Sequence, residues 1–195
     1  MQNNFLQEDL YGLVLAGGKS KRMGVDKGSI RYHKESQREN VFNLLSALCS
    51  QVYTSCNADQ SLNESLHPMI DAYDVDGPMN GILSAFKKHS DKAWLIVAVD
   101  LPNITLETLK QLTDARNKQR LSTCYFNSEA GAPEPLLTIW EPAAFPLLVE
   151  YVERGNKSPR DFLSSNDVEM ITTMNFAIFL NINSATERDQ WLSRN

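Results

Sequence analysis

The chain has little of what builds metal clusters and disulfide frameworks: three cysteines and three histidines in 195 residues. Cys49, Cys56 and Cys124 are odd in number and widely spaced, which excludes a disulfide framework and a spaced zinc motif. His33, His67 and His89 show no ligand spacing either. Both residue types are therefore expected to be structural or incidental. No apolar run approaches the roughly 18 residues that would cross a bilayer. The first residues, MQNNFLQEDLYG, lack the basic start and apolar stretch of a secretory signal. No internal repeat, low-complexity tract or linker interrupts the sequence. A cytoplasmic protein without membrane association is the expectation.

What is there is ordinary in bulk and unusual in distribution. Hydrophobic residues make up 42% and charged residues 22%, which excludes a disordered chain and a coiled coil. The length suits one α/β domain over residues 1–195. The net charge is −5, which argues against non-specific nucleic-acid binding. Yet Lys19, Lys21, Arg22, Lys27, Arg31, Lys34 and Arg38 fall close together, with only Asp26 and Glu35 among them. A basic patch on an acidic body focuses its field on one place and suits a small polyanion. A solvated basic loop is the plainer alternative, and charge alone does not separate the two.

Apolar spacing alternates between strand and helix. Leu10–Ala16, Gln51–Cys56, Pro68–Asp71, Ala93–Val99, Leu121–Phe126 and Pro135–Trp140 read as strands, with Val168–Thr172 and Ala177–Asn181 as further candidates. Asn40–Ser50, Asn80–His89, a segment from about Thr105, and Glu141–Arg154 with Pro142 in its first turn read as helices. Ser158-Pro159 and the capping box Ser184-x-x-Glu187 announce two later helix starts. This alternation predicts a three-layer α/β/α sandwich on a mainly parallel sheet, Rossmann-like in kind. Ligands of such sheets bind beyond the carboxyl ends of the strands. That rule selects Ala16 to Gly18, Asn57, Asp71 and Asp100.

The most informative stretch is Leu15-Ala16-Gly17-Gly18-Lys19-Ser20-Lys21-Arg22-Met23-Gly24-Val25-Asp26-Lys27. Glycines let a backbone turn sharply and aim N–H groups at a ligand, and nearby cations complete a phosphate site. The two common nucleotide loops fail on spacing. A Walker A loop needs a glycine at position 13, which is leucine, and no G-x-G occurs for a dinucleotide fingerprint.

The stretch resembles the signature of nucleotidyltransferases that attach a nucleotide to a phosphorylated acceptor, and among them the molybdenum cofactor guanylyltransferases. Asn57, Asp71, Asp76-Gly77-Pro78-Met79-Asn80-Gly81, Val99-Asp100-Leu101-Pro102, Glu134-Pro135-Leu136 and Asn181-Ile182-Asn183-Ser184 resemble that family's later motifs in order and spacing. The chain departs from the pattern over Gly28–Gln37, where the short Gly-Lys-Pro turn is missing. A polar loop over 31–38 with little to bury, and hence mobile, is expected there.

The resemblance implies a Rossmann-like nucleotidyltransferase domain, with residues 1–100 as a nucleotide-binding half and 101–195 as an acceptor-binding half. It implies GMP transfer from GTP to molybdenum-molybdopterin, with release of pyrophosphate. Mg²⁺ is the implied cofactor, held by Asp100. Lys27 would neutralise charge on the triphosphate during transfer, and Arg22 would steady the leaving pyrophosphate. Leu15, Ala16, Gly17 and Gly18 would contact the nucleotide through their backbone, and Asn57 and Asp71 would contact the nucleoside. Arg160, Asn181 and Asn183 would serve the acceptor, although a helix cap explains Asn183 as well, and Asp76 reads as a turn residue. Proteins that deliver or receive the cofactor are the implied partners of a monomer. A sister transferase acting on CTP or on a sugar or alditol phosphate, and a non-catalytic nucleotide-binding module, are the alternatives.

Overall fold

The structure, a computed structural model, describes residues 7–16, 27–32, 34–182 and 184–193. Strand β1 (Gln7–Leu15) shows how the layers form. Its side chains alternate, so Leu10 and Val14 enter one core cluster while Leu13 and Leu15 enter the other. A strand buried on both faces needs helices on both faces. Helices α1 (Gln37–Ser46) and α3 (Leu106–Asp114) cover the first face with Val41, Leu45, Leu109 and Leu112. Helices α2 (Pro78–Lys88), α4 (Ala144–Glu153) and α5 (Pro159–Ser165) cover the second with Ile82, Phe86, Leu148 and Phe162.

The other strands are β2 (Cys49–Cys56), β3 (Pro68–Ile70), β4 (Ala93–Ala98), β5 (Ser122–Asn127), β6 (Ala132–Trp140) and β7 (Glu169–Ile171). Sheet order is β3-β2-β1-β4-β6-β5-β7. Every pair is parallel except those of β6, which runs antiparallel to both β4 and β5. The three-layer, mainly parallel expectation therefore holds. The chain leaves β1 toward β2 and β3, then returns to β4 on the other side of β1. In sheets of this kind such a reversal marks the ligand crevice, here beyond the carboxyl ends of β1 and β4.

Helix starts follow local chemistry. Ser36 and Glu39 form a capping box: Ser36 Oγ accepts from the Glu39 N–H at 3.3 Å, and Glu39 Oε2 accepts from the Ser36 N–H at 3.0 Å. Ser158 caps α5, and Ser184 with Glu187 boxes the start of α6 (Ala185–Leu192).

Four expectations need correction. Helix α1 begins at Gln37, three residues before the predicted Asn40, because the Ser36 box sets its start. Pro142 lies in the turn before α4, and Ala144 is the first helical residue. Residues 177–181 do not form a strand. Phe176–Phe179 is a 3₁₀ turn closed by local bonds, and the sheet edge beside β5 is already taken by β7. The stretch after Gly28 also has more to bury than its polarity suggested, since Ile30, Tyr32, Gln37 and Arg38 are all buried.

Candidate functional site

The carboxyl ends of the parallel strands are tied to one another before any side chain is considered. The Val99 N–H donates to the Leu15 carbonyl at 3.2 Å, and the Asp71 N–H to the Cys56 carbonyl at 2.9 Å. Those bonds bring Ala16 beside Asp100, and Asn57 beside Asp71. Four of the sequence-selected positions thus share one rim. Gly17, Gly18, Arg22 and Asn183 lie outside the described residues. Lys27 opens a short 3₁₀ turn, Lys27–Ser29.

On the β2–β3 side, Ser55 Oγ donates to Asp71 Oδ1 at 2.7 Å. Burial raises the Asp71 carboxyl above its ordinary value, and the Ser55 hydrogen bond only partly offsets this. The loop after Asp71 is held by α2. Asn80 accepts from the Tyr73 N–H at 3.0 Å and donates to the Tyr73 carbonyl at 2.6 Å, while Ser84 Oγ accepts from the Ala72 N–H at 2.8 Å. Gly81 lets α2 lie close to the sheet. A Cβ there would stand 2.6 Å from Leu15 Cδ2 and 2.9 Å from Ser55 Oγ. Asn57 closes a turn in which its N–H donates to Gln60 Oε1 at 2.9 Å.

On the β4–β6 side, Asp100 sits in the turn after β4. The Ile182 N–H donates to the Asp100 carbonyl at 2.9 Å, which docks the 181–182 segment against it. Asn181 Oδ1 is buried without a hydrogen-bond partner among the described residues, and Asp100 Oδ1 is buried as well. The antiparallel register pairs Val97 with Leu137, and continuing it sets Glu134 opposite Asp100. Glu134 is buried. Its Oε1 accepts from the Leu136 N–H at 3.1 Å, and its Oε2 lies 3.6 Å from Arg160 Nη2. Burial pushes the Glu134 carboxyl up, and the negative charge of Asp100 adds to that, against the Leu136 N–H and the Arg160 cation.

This donor set consists of oxygens. Carboxylate and amide carbonyl oxygens are the donors that suit a hard divalent cation, which keeps further positions for water and phosphate. No group of three or more His, Cys, Asp and Glu poised to hold a metal occurs among the described residues. Asp100, Asn181 and Arg160 are thus brought to one rim. Glu134 stood in a resembling motif without a role; the antiparallel return of β6 that gives it one cannot be read from spacing.

The family model described as the MobA-like NTP transferase domain matches residues 12–170. The chain belongs to the MobA-like NTP transferase family. A molybdenum cofactor biosynthesis bifunctional protein of Synechocystis is 35% identical over 187 residues, 94% of this chain and 54% of that protein. The chain thus spans about half the length of that relative. A molybdenum cofactor guanylyltransferase of Serratia proteamaculans is 28% identical over 192 residues, covering 95% of each. Among solved structures, molybdopterin-guanine dinucleotide biosynthesis protein A of Archaeoglobus fulgidus superposes with a TM-score of 0.77 at 19% identity, over 94% of this chain and 97% of that one. This MobA-like chain therefore shares its fold with that protein.

Proposed function

We propose that this chain transfers GMP from GTP to molybdenum-loaded molybdopterin, giving molybdopterin guanine dinucleotide and pyrophosphate. Membership of the MobA-like family supports nucleotidyl transfer, and the relatives' names support the guanylyl and pterin choice. The observation that carries the reading is the position of Asp100. It follows β4 at the reversal beside β1, accepts from the Ile182 N–H through its carbonyl, and acts by its charge on Glu134, which lies against Arg160.

The terminal phosphate of the pterin attacks the α-phosphorus of GTP. One P–O bond forms there as the bond to the β-phosphate oxygen breaks, and pyrophosphate leaves. An acceptor phosphate is already anionic, so no general base is required. The protein's work is to bring two polyanions together. A divalent cation, Mg²⁺ in this reading, neutralises phosphate oxygens when bound. Asp100 would hold it, with Asn181 Oδ1 as a further oxygen. Lys27 and Arg22 supply positive charge to the triphosphate. Leu15, Ala16, Gly17 and Gly18 would contact the nucleotide through their backbone, and Asn57 and Asp71 would contact the nucleoside. Arg160, paired with Glu134, would take the acceptor phosphate, and Asn181 and Asn183 would serve the same acceptor. Proteins that hand over or collect the cofactor are the natural partners.

The test is acceptor-dependent pyrophosphate release from GTP with Mg²⁺. Asp100→Ala is expected to abolish it while leaving the melting temperature unchanged. Wild-type turnover in that variant would remove the metal assignment.

A further inference from the structure

Helix α1 begins with two polar residues that the interior has taken in. Gln37 is 0% exposed, and Arg38 is buried beside it. Polar side chains are seldom enclosed unless their hydrogen bonds are met. Those of Gln37 reach two separate segments. Its backbone N–H donates to the Ile30 carbonyl at 2.8 Å, just after the Lys27–Ser29 turn. Its side-chain Nε2 donates to the Leu101 carbonyl at 3.1 Å, one residue past Asp100 and 64 residues along the chain. Asn40 Nδ2 donates to its Oε1 at 3.5 Å, which orients the amide so that the donor faces Leu101. Arg38 grips the first segment a second time. Its guanidinium lies against Gly28, where a Cβ would stand 2.5 Å from Nη2 and 2.7 Å from Cζ.

We infer that Gln37 is a positioning residue, one that fixes the Asp100 turn relative to the segment beginning at Lys27. The inference rests on the transfer reaction proposed above. Lys27 and Asp100 would act on the same triphosphate, and among the described residues no strand pairing joins the Lys27–Ser29 turn to the Asp100 turn. Gln37 bridges them, its backbone N–H on Ile30 and its buried side-chain amide on Leu101. Its worth lies in geometry, because small misplacement of reacting groups costs far more rate than the hydrogen bond costs stability.

The experiment compares Gln37→Met, which keeps the volume and removes the donor, with wild type. Gln37→Glu, which keeps the shape and turns the donor into an acceptor, runs alongside in case the first variant does not fold. The first readout needs no substrate: amide exchange by mass spectrometry over residues 99–104, with Ser122–Asn127 as the internal reference. The second is steady-state pyrophosphate release. The inference expects exchange over 99–104 to rise about fivefold or more with the reference unchanged. It expects kcat to fall about tenfold or more while KM for GTP stays within about twofold. Unchanged exchange in a folded variant overturns it. Faster exchange with wild-type kcat also overturns it, since the amide would then be a brace of the fold alone. If wild type itself releases no pyrophosphate, the transfer reading and the catalytic part of this inference both fail, while the exchange arm still decides the bridge.

Discussion

Asp71 carries a buried carboxyl, which the proposed function sets against the nucleoside. Burial raises its carboxyl, so the folded chain holds that proton to a higher pH than the unfolded chain does. Its contribution to stability is therefore fully present below the ordinary carboxylate range and is lost as pH rises through the raised value. Asp71→Asn removes the ionised form. Thermal melting of that variant at pH 7 is expected at or above the wild-type temperature, with the advantage gone near pH 4. GTP binding should weaken about tenfold, the worth of one hydrogen bond to a charged group. A variant less stable at pH 7 than at pH 4, relative to wild type, would contradict this. Gly81 shows a different constraint. Alanine would gain about 1 kcal/mol of helix propensity, but its Cβ would press on Leu15 and Ser55. Overpacking costs about 1–3 kcal/mol, so Gly81→Ala should lower the melting temperature and disturb GTP binding together. A rise in melting temperature would show that α2 can shift away freely.

At the scale of elements, the two ends of the sheet do different work. At the end opposite the crevice, Arg116 follows α3 and is only 3% exposed. It makes a two-point pair with Glu141, at 2.6 and 2.9 Å, and further bonds to Asp9 and Gln7 at the start of β1. Burial pushes the Asp9 carboxyl up, but hydrogen bonds from Lys118 and Arg116 outweigh it and leave it lowered. Its contribution is therefore lost as pH falls through the lowered value. Removing Arg116 strands the buried Glu141 carboxylate. Arg116→Met is expected to cost about 3–5 kcal/mol, or about 6–20 °C of melting temperature for a chain of this length. Turnover below the new transition should be unaffected, measured by the same pyrophosphate assay. A loss of kcat at full folding would mean that this network reaches the site. The elements also show where sequence patterns were legible. The Ser184 box and the Ser158-Pro159 start announced α6 and α5 at their true positions, because a cap is local chemistry. The Ser36-x-x-Glu39 box carried the same signal for α1. Apolar periodicity begins only at Val41, and by itself it leaves Gln37 and Arg38 outside the helix. Residues 177–181 were apolar enough for a strand, but a strand needs an open neighbour, and sheet order is a tertiary fact.

For the whole molecule, strand and helix alternation was enough to fix three layers, and the rule of strand carboxyl ends gathered Ala16, Asn57, Asp71 and Asp100 on one rim. The antiparallel β6 was not legible, because direction within a sheet leaves no trace in a two-residue period. Glu134 acquires its place opposite Asp100 only through that reversal. The basic stretch from Lys19 to Arg38 read as one patch, whereas the fold divides it. Arg38 is drawn into the interior, and Arg31 and Lys34 stay exposed. The central claim is that this rim, with Asp100 at its centre, takes GTP with a divalent cation. The most direct measurement is calorimetric binding of GTP, CTP, ATP and UTP with Mg²⁺, on wild type and on Asp100→Ala. The account predicts a preference for GTP that depends on Mg²⁺ and is lost in the variant. Preference for CTP or UTP would contradict the guanylyl assignment, and equal binding by Asp100→Ala would contradict the placement of the metal.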